Sequence, residues 1–306
     1  MSNDFTRLAT RLETLLDQLE PLLGRVGQLL PEPAEPDWKG AIAFRWRRRR
    51  TPLGSAAMLV PVARPAALRL ADLQNIDEQK RLVEQNTRQF VKKRPANNVL
   101  LTGARGTGKS SLIKACLNEF HETGLRLIEV DKDDLVDLPD LVEMVAGRPE
   151  RFIVYCDDLS FEQGEGGYKA LKTVLDGSVA GQSDNVLVYA TSNRRHLMPE
   201  MMSENLQAKY QEDGEIHPGE TSEEKISLSE RFGLWIAFYP FRQDDYLAVV
   251  AHWLEFFGAT EKDVARARGD ALRWALERGS RSGRVAWQFA RDWAGHHVKR
   301  RADRPS

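Results

Sequence analysis

A glycine-rich stretch with one lysine and one serine offers the clearest chemistry in this sequence: GARGTGKS, at residues 103–110. It matches the pattern G-x-x-x-x-G-K-[ST], in which backbone N–H groups curl around the phosphates of a nucleotide. A helix that follows such a loop adds the positive end of its dipole. The pattern predicts that Lys109 contacts the β- and γ-phosphates and that Ser110 supplies a hydroxyl to Mg²⁺.

The predicted nucleotide-binding residues cover this glycine-rich phosphate loop at 103–110, the residue after it and one residue from an earlier segment. They are Gly103, Ala104, Arg105, Gly106, Thr107, Gly108, Lys109, Ser110 and Ser111, together with Ile76. Ile76 lies just before a segment with helical periodicity that precedes the loop. The expected ligands are therefore ATP and Mg²⁺.

Two adjacent aspartates, Asp157 and Asp158, end the apolar run at residues 152–156. A strand that ends in a carboxylate can place an acid beside the metal of a phosphate-loop site. We expect Asp157 to hold Mg²⁺ through water and Asp158 to act as the base that activates the attacking water. Aspartate is one methylene shorter than glutamate, and a displacement of about 1 Å can cost about 10²-fold in rate, so we expect modest turnover. Glu162 is the alternative base.

Alternating strands and helices must position these residues. From residue 69 onward, short apolar runs alternate with helical periodicity, which predicts a parallel sheet covered on both faces. The predicted strands are 98–102, 125–130, 151–156 and 186–190, and the predicted helices are 110–122, 138–145, 168–175, 242–257, 261–277 and 284–297. The fold class is therefore α/β, of the P-loop NTPase type, with a C-terminal helical lid.

The segment before this core predicts a helix followed by a β-hairpin. Apolar residues from Phe5 to Leu29 recur every three or four positions, which favours a helix that packs on its own domain or on a partner. Residues 44–62 alternate aromatic residues with arginines before a turn, as in a hairpin. The arginines from Arg45 to Arg50 either bind nucleic-acid phosphates or form a solvated or acid-paired strand face.

Three further residues resemble functional positions of a known class of proteins. A phosphate loop, an acidic strand end and then a strand that ends in Asn193 resemble the AAA+ ATPase core, in which this asparagine is sensor 1 and orients the attacking water. Arg231 resembles the arginine finger that reaches a neighbouring subunit's ATP, although pairing with Glu230 is the alternative. Arg284 resembles the sensor 2 arginine of the lid, with Arg281 as an alternative within one turn.

The longer motifs resemble one bacterial family of AAA+ ATP-binding proteins, catalogued as domain of unknown function 815. They are NNVLLTGARGTGKSSLIKA, RFIVYCDDLSFE, YATSNRRHL and EEKISLSERFGLWIAF. The resemblance implies the AAA+ fold and a cytoplasmic ATPase, and the arginine finger implies a homo-oligomer, expected as a ring. No substrate follows from the resemblance. We expect remodelling or loading of an unidentified partner, and the alternatives are an ATP-dependent switch or scaffold and a DNA-acting loader.

Composition narrows the possible functions. The chain has 306 residues and a formal net charge of −1, which argues against a globally basic nucleic-acid binder. Its two cysteines lie in apolar segments, so a disulfide framework is not expected. Neither a signal-peptide pattern nor an apolar stretch of about 18 residues occurs, so we expect a cytoplasmic protein without a membrane span.

The chain divides into three predicted parts: an extension at 1–66, a nucleotide-binding core at 67–240 and a helical lid at 241–306. The core contains an acidic insertion at 198–225. Long insertions in compact domains are usually functional or disordered. We therefore expect this one either to contact a partner or another subunit, or to be a solvated loop.

Overall fold

The computed structural model describes residues 36–51, 54–161, 166–177, 183–194, 197, 209–210, 216–217 and 230–298. The predicted N-terminal helix, the alternative base Glu162 and most of the insertion at 198–225 lie outside these residues. Two short antiparallel strands within the insertion are described, and we label them β7 and β8 (Lys209–Tyr210 and Ile216–His217).

A seven-stranded sheet forms the centre of the protein. Its strands are β1 (Ala43–Thr51), β2 (Gly54–Pro61), β3 (Val99–Gly103), β4 (Leu125–Glu129), β5 (Arg151–Cys156), β6 (Val186–Ser192) and β9 (Leu234–Phe238). Their order across the sheet is β2-β1-β4-β5-β6-β3-β9. The hairpin strands β1 and β2 are antiparallel, and every other neighbouring pair is parallel. The carboxyl ends of β3, β5 and β6 therefore meet at one edge, next to the phosphate loop.

Helices cover the sheet and form the lid. They are α1 (Asp77–Val91), α2 (Lys109–Phe120), α3 (Leu138–Val145), α4 (Gly166–Asp176), α5 (Gln243–Phe256), α6 (Glu261–Glu277) and α7 (Gly283–His297). The last three have a hydrophobic core of their own. Among the described helices, none is both long and apolar enough to span a bilayer. This architecture confirms the predicted fold class.

Strand β5 shows why the central strands are apolar throughout. All six of its residues are buried. Phe152, Val154 and Cys156 pack into the hydrophobic core on one face of the sheet, whereas Ile153 and Tyr155 pack into the core on the other face. A strand with no solvent-facing side has no reason to alternate polar and apolar residues, so it reads as a continuous apolar run.

Local capping determines where two lid helices begin. Helix α6 starts after Thr260, whose hydroxyl accepts the Asp263 backbone N–H while the Asp263 carboxylate accepts the Thr260 N–H. Helix α7 starts after Ser282, whose hydroxyl accepts the N–H of Val285. Arg284, the predicted sensor 2 residue, lies in the first turn of α7.

The predicted hairpin is present, and it belongs to the main sheet because β1 pairs in parallel with β4. The division at residue 66 stays a prediction. Three arginines of β1 have carboxylate partners on or after β4, which corresponds to the acid-paired alternative. The ion pairs are Arg45–Glu129 at 2.7 Å, Arg47–Asp131 at 2.6 Å, and Arg48–Asp137.

The junction between β3 and the phosphate loop depends on Gly103. Its φ is +129°, and a Cβ there would lie 1.9 Å from the carbonyl oxygen of Phe238. We expect Gly103→Ala to lower the free energy of unfolding by about 3 kcal/mol or more, because strain and a backbone clash add. The matched control is Gly124→Ala, where φ is +93° but nothing lies within 4 Å; it should lose only about 1–2 kcal/mol. Equal losses in urea unfolding would contradict this.

Candidate functional site

The phosphate loop joins β3 to α2 and owes its shape to three glycines. Gly103, Gly106 and Gly108 have φ values of +129°, +75° and +104°, a region that side chains of L-residues rarely adopt. Gly108 directly precedes α2, which begins at Lys109. The loop therefore leads into a helix N-terminus, as a phosphate-binding site requires.

The lid helix α7 packs directly against this loop. A Cβ on Gly106 would lie 2.7 Å from the Ser282 hydroxyl oxygen and 3.3 Å from the Cβ of Arg284. A Cβ on Gly283 would lie 3.2 Å from the Gly106 carbonyl oxygen. The close approach explains why glycine is needed on both sides, and it brings Arg284 to the loop.

Lys109 is the buried cation of the site. Only 5% of this residue is exposed. Its ammonium group donates to the carbonyl oxygens of Gly103 (2.7 Å) and Ala104 (2.8 Å) and to the side-chain oxygen of Asn193 (3.0 Å). Burial lowers the pKa of Lys109 below its usual value, while two nearby carboxylates act in the opposite direction.

Asp157 connects the loop helix to the sheet. Its carboxylate accepts hydrogen bonds from the hydroxyls of Ser110 (2.7 Å) and Thr191 (2.6 Å). Partial burial alone would raise the pKa of Asp157, but these hydrogen bonds favour the charged form, and the pKa lies below its usual value. The two predicted metal-binding residues, Ser110 and Asp157, are therefore adjacent.

The chemistry of this pair fits Mg²⁺. Among the described residues there is no cluster of three or more His, Cys, Asp or Glu side chains that would hold a metal ion by themselves. Mg²⁺ does not require one, since it is usually bound by one or two carboxylates together with water and substrate phosphates. A charged carboxylate beside a hydroxyl supplies the oxygen ligands that it prefers.

Asp158 sits in a backbone conformation that is unusual for a residue with a side chain. Its φ is +51°, in the left-handed region where aspartate is tolerated better than most residues. Its N–H donates to the Thr191 hydroxyl at 3.0 Å. The carboxylate accepts a hydrogen bond from the Asn193 amide and lies 3.4 Å from the Arg105 guanidinium. The strained turn thus holds Asp158 between two polar side chains, as is common at functional sites.

A cavity of about 610 Å³ lies between the core and the lid, a volume typical of small-molecule sites. It is lined by nearly all of the predicted site residues. These are Ile76, Arg105, Gly106, Thr107, Gly108, Lys109, Ser110, Ser111, Asp157, Asp158, Asn193 and Arg284. Gly103 and Ala104 contribute through the carbonyl oxygens that bind Lys109.

The other wall of the cavity is apolar and aromatic, and sequence reasoning identified only Ile76 from it. The residues missed are Leu68, Leu73, Phe241, Val249, Trp253 and Trp287. The two tryptophans are on the lid helices α5 and α7. Helical periodicity located those helices, but it did not reveal which of their faces meets the core.

The two remaining arginine predictions have different outcomes. Of the two sensor 2 candidates, Arg284 lines the cavity and Arg281 does not. The finger candidate Arg231 lies outside the cavity, where its Nε atom is 2.6 Å from the carboxylate of Asp176, at the end of α4. Asp176 is therefore an ion-pair partner of Arg231, and pairing with Glu230 stays a prediction.

A comparison of the sequence with protein families decides the classification. The family described as "Protein of unknown function (DUF815)" matches residues 39–297. The chain belongs to the DUF815 family. This confirms the resemblance carried by the long motifs. No curated protein matches this DUF815 sequence.

Solved structures show similarity to the DUF815 chain at low identity. A mutant of Thermotoga maritima RuvB is 13% identical with a TM-score of 0.48, and the match covers 73% of the DUF815 chain and 63% of the RuvB chain. A structure of the HORMA:CdnC:Trip13 complex of E. coli MS115-1 is 13% identical with a TM-score of 0.45 over 73% and 90% of the two chains. Another structure, titled as the Thermotoga maritima RuvB Holliday junction branch migration motor, is 13% identical with a TM-score of 0.40 over 73% and 70%.

The hydroxyl of Thr191 should favour the charged form of Asp157. We expect Thr191→Val to raise the pKa of Asp157 and to lower the free energy of unfolding by about 1 kcal/mol at neutral pH. Because the folded-state pKa is depressed, this contribution is present above the ordinary aspartate pKa and is lost as the pH falls through the depressed value. Urea unfolding across this pH range measures it. Thr191→Ser retains the hydroxyl and should behave like the natural protein. Because the hydroxyl also accepts the Asp158 N–H, part of the loss in Thr191→Val is independent of pH; a loss with no pH-dependent part would contradict the assignment.

Proposed function

We propose that this DUF815 protein is a Mg²⁺-dependent AAA+ ATPase that acts as an oligomeric ring. The observation that supports this most is the convergence of charged and polar groups from separate elements on one cavity. Lys109 starts α2, Asp158 follows β5, Asn193 follows β6, and Arg284 comes from the lid. In such a site the two cations bind phosphate oxygens, the carboxylate activates a water molecule, and the amide orients that water.

Each of these side chains has a distinct proposed role. Lys109 and Arg284 neutralise the phosphate oxygens of ATP, and the glycine-rich loop receives the phosphates. Ser110 and Asp157 hold Mg²⁺, Asp157 through water. When bound, Mg²⁺ supplies charge that stabilises the transferring phosphoryl group.

Asp158 is the proposed general base, and Asn193 positions the water that it activates. One carboxylate oxygen of Asp158 accepts the Asn193 amide, while the other lies 3.4 Å from Arg105. Each carboxylate oxygen can accept more than one hydrogen bond, so a water molecule can reach Asp158 while both contacts persist. The short aspartate side chain supports modest turnover.

The apolar wall of the cavity suits the base of the nucleotide. Trp253 on α5 and Trp287 on α7 line the cavity. Indole rings stack favourably on other aromatic rings, such as a nucleotide base. Both rings belong to the lid, whereas the phosphate loop belongs to the core. A nucleotide that contacts both the core and the lid makes the position of the lid depend on whether the nucleotide is bound. Movement of the lid during ATP turnover would then move a partner.

Oligomerisation completes the proposed enzyme. Arg231 is separate from its own subunit's cavity, so we assign it to the site of a neighbouring subunit. Its ion pair with Asp176 must open for this contact to form. The partner that is remodelled or loaded is a macromolecule whose class the site does not define. A DNA-acting role has less support, because Arg45, Arg47 and Arg48 already pair with carboxylates.

The test of the chemistry is Asp158→Asn. Loss of the base should lower the rate of phosphate release by about 10²–10⁴-fold, while ATP binding is retained because the phosphate loop is unchanged. Phosphate release and titration calorimetry with ATP measure the two effects. The matched control is Asp140→Asn, an exposed carboxylate on α3. A full rate in Asp158→Asn with loss in Glu162→Gln would transfer the role to Glu162; slow release unaffected by either change would favour the switch or scaffold.

The test of the shared site is Arg231→Ala. Removal of a finger should lower turnover by about 10³–10⁵-fold with little effect on ATP binding. Phosphate release per subunit should also rise with protein concentration. Mixing Arg231→Ala with Lys109→Ala should restore part of the activity, because each variant supplies what the other lacks. Asp176→Asn removes the ion pair but keeps the finger, so it should remain active. If Arg231→Ala and Asp176→Asn are both inactive, and mixing Arg231→Ala with Lys109→Ala restores no activity, Arg231 has a structural role.

A further inference from the structure

A second cavity lies at the opposite edge of the sheet, where β5 and β6 begin. Its volume is about 780 Å³, within the range of small-molecule sites. Its walls come from the end of α1, the turn after it and the loops before β5 and β6. The lining includes four basic residues, Lys93, Arg94, Arg148 and Arg151, and one acidic residue, Asp184.

Arg151 is a buried cation without a carboxylate partner among the described residues. It is 8% exposed. Its guanidinium donates to the backbone carbonyl of Asp184 and stacks 5.0 Å from the ring centre of Phe90. Its Nε atom is buried and has no hydrogen-bond acceptor in the described part of the chain. Buried charges are normally paired, so this guanidinium leaves positive charge uncompensated beside the cavity.

The loop wall of this cavity is built by fixed polar contacts. The Asn185 amide donates to the backbone carbonyls of Val145 (2.8 Å) and Arg148 (3.2 Å). Arg148 is 3.1 Å from the Glu150 carboxylate, and its guanidinium stacks 4.7 Å from the ring centre of Trp38. Arg148 is thus a neutralised wall residue, and the cavity does not depend on it for binding charge.

Two exposed basic residues form the rim. Lys93 and Arg94 follow the end of α1, and neither has an ion-pair partner among the described residues. Their backbone N–H groups bond to the carbonyls of Phe90 (3.0 Å) and Gln89 (2.9 Å). These bonds satisfy two carbonyl groups at the helix end and fix the backbone that carries both side chains.

We propose that this cavity binds a small molecule that carries a phosphate group. Arg151, Lys93 and Arg94 contribute the positive charge, and a guanidinium is suited to phosphate oxygens. Apolar lining residues such as Pro95 and Val186 contact the rest of the molecule. The concave shape favours a small ligand over an extended polymer. The site is separate from the ATP cavity, so it can be occupied at the same time.

Pyrophosphate is the probe, and Lys109→Ala is the background, so that the phosphate loop contributes less. Titration calorimetry without Mg²⁺ should show binding that weakens as salt is raised. In that background, Lys93→Ala with Arg94→Ala should weaken binding at least about tenfold, since charge-assisted hydrogen bonds are lost. Arg151→Lys, which keeps the charge but not the fork, should also weaken it. Lys92→Ala removes an adjacent exposed cation that does not line the cavity and should have no effect.

Several results would overturn the proposal. One is the absence of pyrophosphate binding in the Lys109→Ala background, and another is equal binding in the Lys93→Ala/Arg94→Ala protein. Succinate that binds as tightly as pyrophosphate would identify a carboxylate site in place of a phosphate site. A single-stranded oligonucleotide that binds through Lys93 and Arg94, with no binding of pyrophosphate, would identify a nucleic-acid surface.

Discussion

The site depends on the hydrogen bonds that the Asp157 carboxylate accepts. Asp157 follows β5 directly, and its carboxylate accepts hydrogen bonds from Ser110 at the start of α2 and from Thr191 in β6. The same Thr191 hydroxyl accepts the N–H of Asp158 and so supports the left-handed turn that aims the second carboxylate. One short network therefore joins the helix after the phosphate loop, the acidic strand end and the strand that leads to Asn193. A parallel sheet makes this possible, because it collects the carboxyl ends of its strands at one edge.

The lid is the second determinant of the site. Gly106 and Gly283 have no side chains where the loop and α7 meet, and their backbones approach closely. Arg284 is carried to the phosphate loop by this contact, while Trp287 on the same helix faces the apolar part of the cavity. A single helix thus contributes both to the charged end and to the aromatic end of the site.

The near-zero net charge conceals an uneven distribution of charge. The arginines of β1 are conspicuous in the sequence, yet Arg45 and Arg47 are paired with carboxylates. Arg151 is inconspicuous in the sequence, at the start of an apolar strand, yet it is buried without such a partner among the described residues. Runs of charge in a sequence are therefore a weak guide to which charges stay unpaired in the structure, because pairing depends on elements distant along the chain.

The sequence by itself determined the phosphate loop around Lys109 and the acidic strand end at Asp157, since both follow from fixed spacing. It also determined the order of strands and lid helices along the chain, since this follows from local periodicity. Tertiary structure decided the rest. It placed β1 beside β4, paired Arg231 with Asp176, and turned the tryptophan-bearing faces of the lid toward the core. The physical reason is that each of these contacts joins segments far apart along the chain, so no local pattern specifies them.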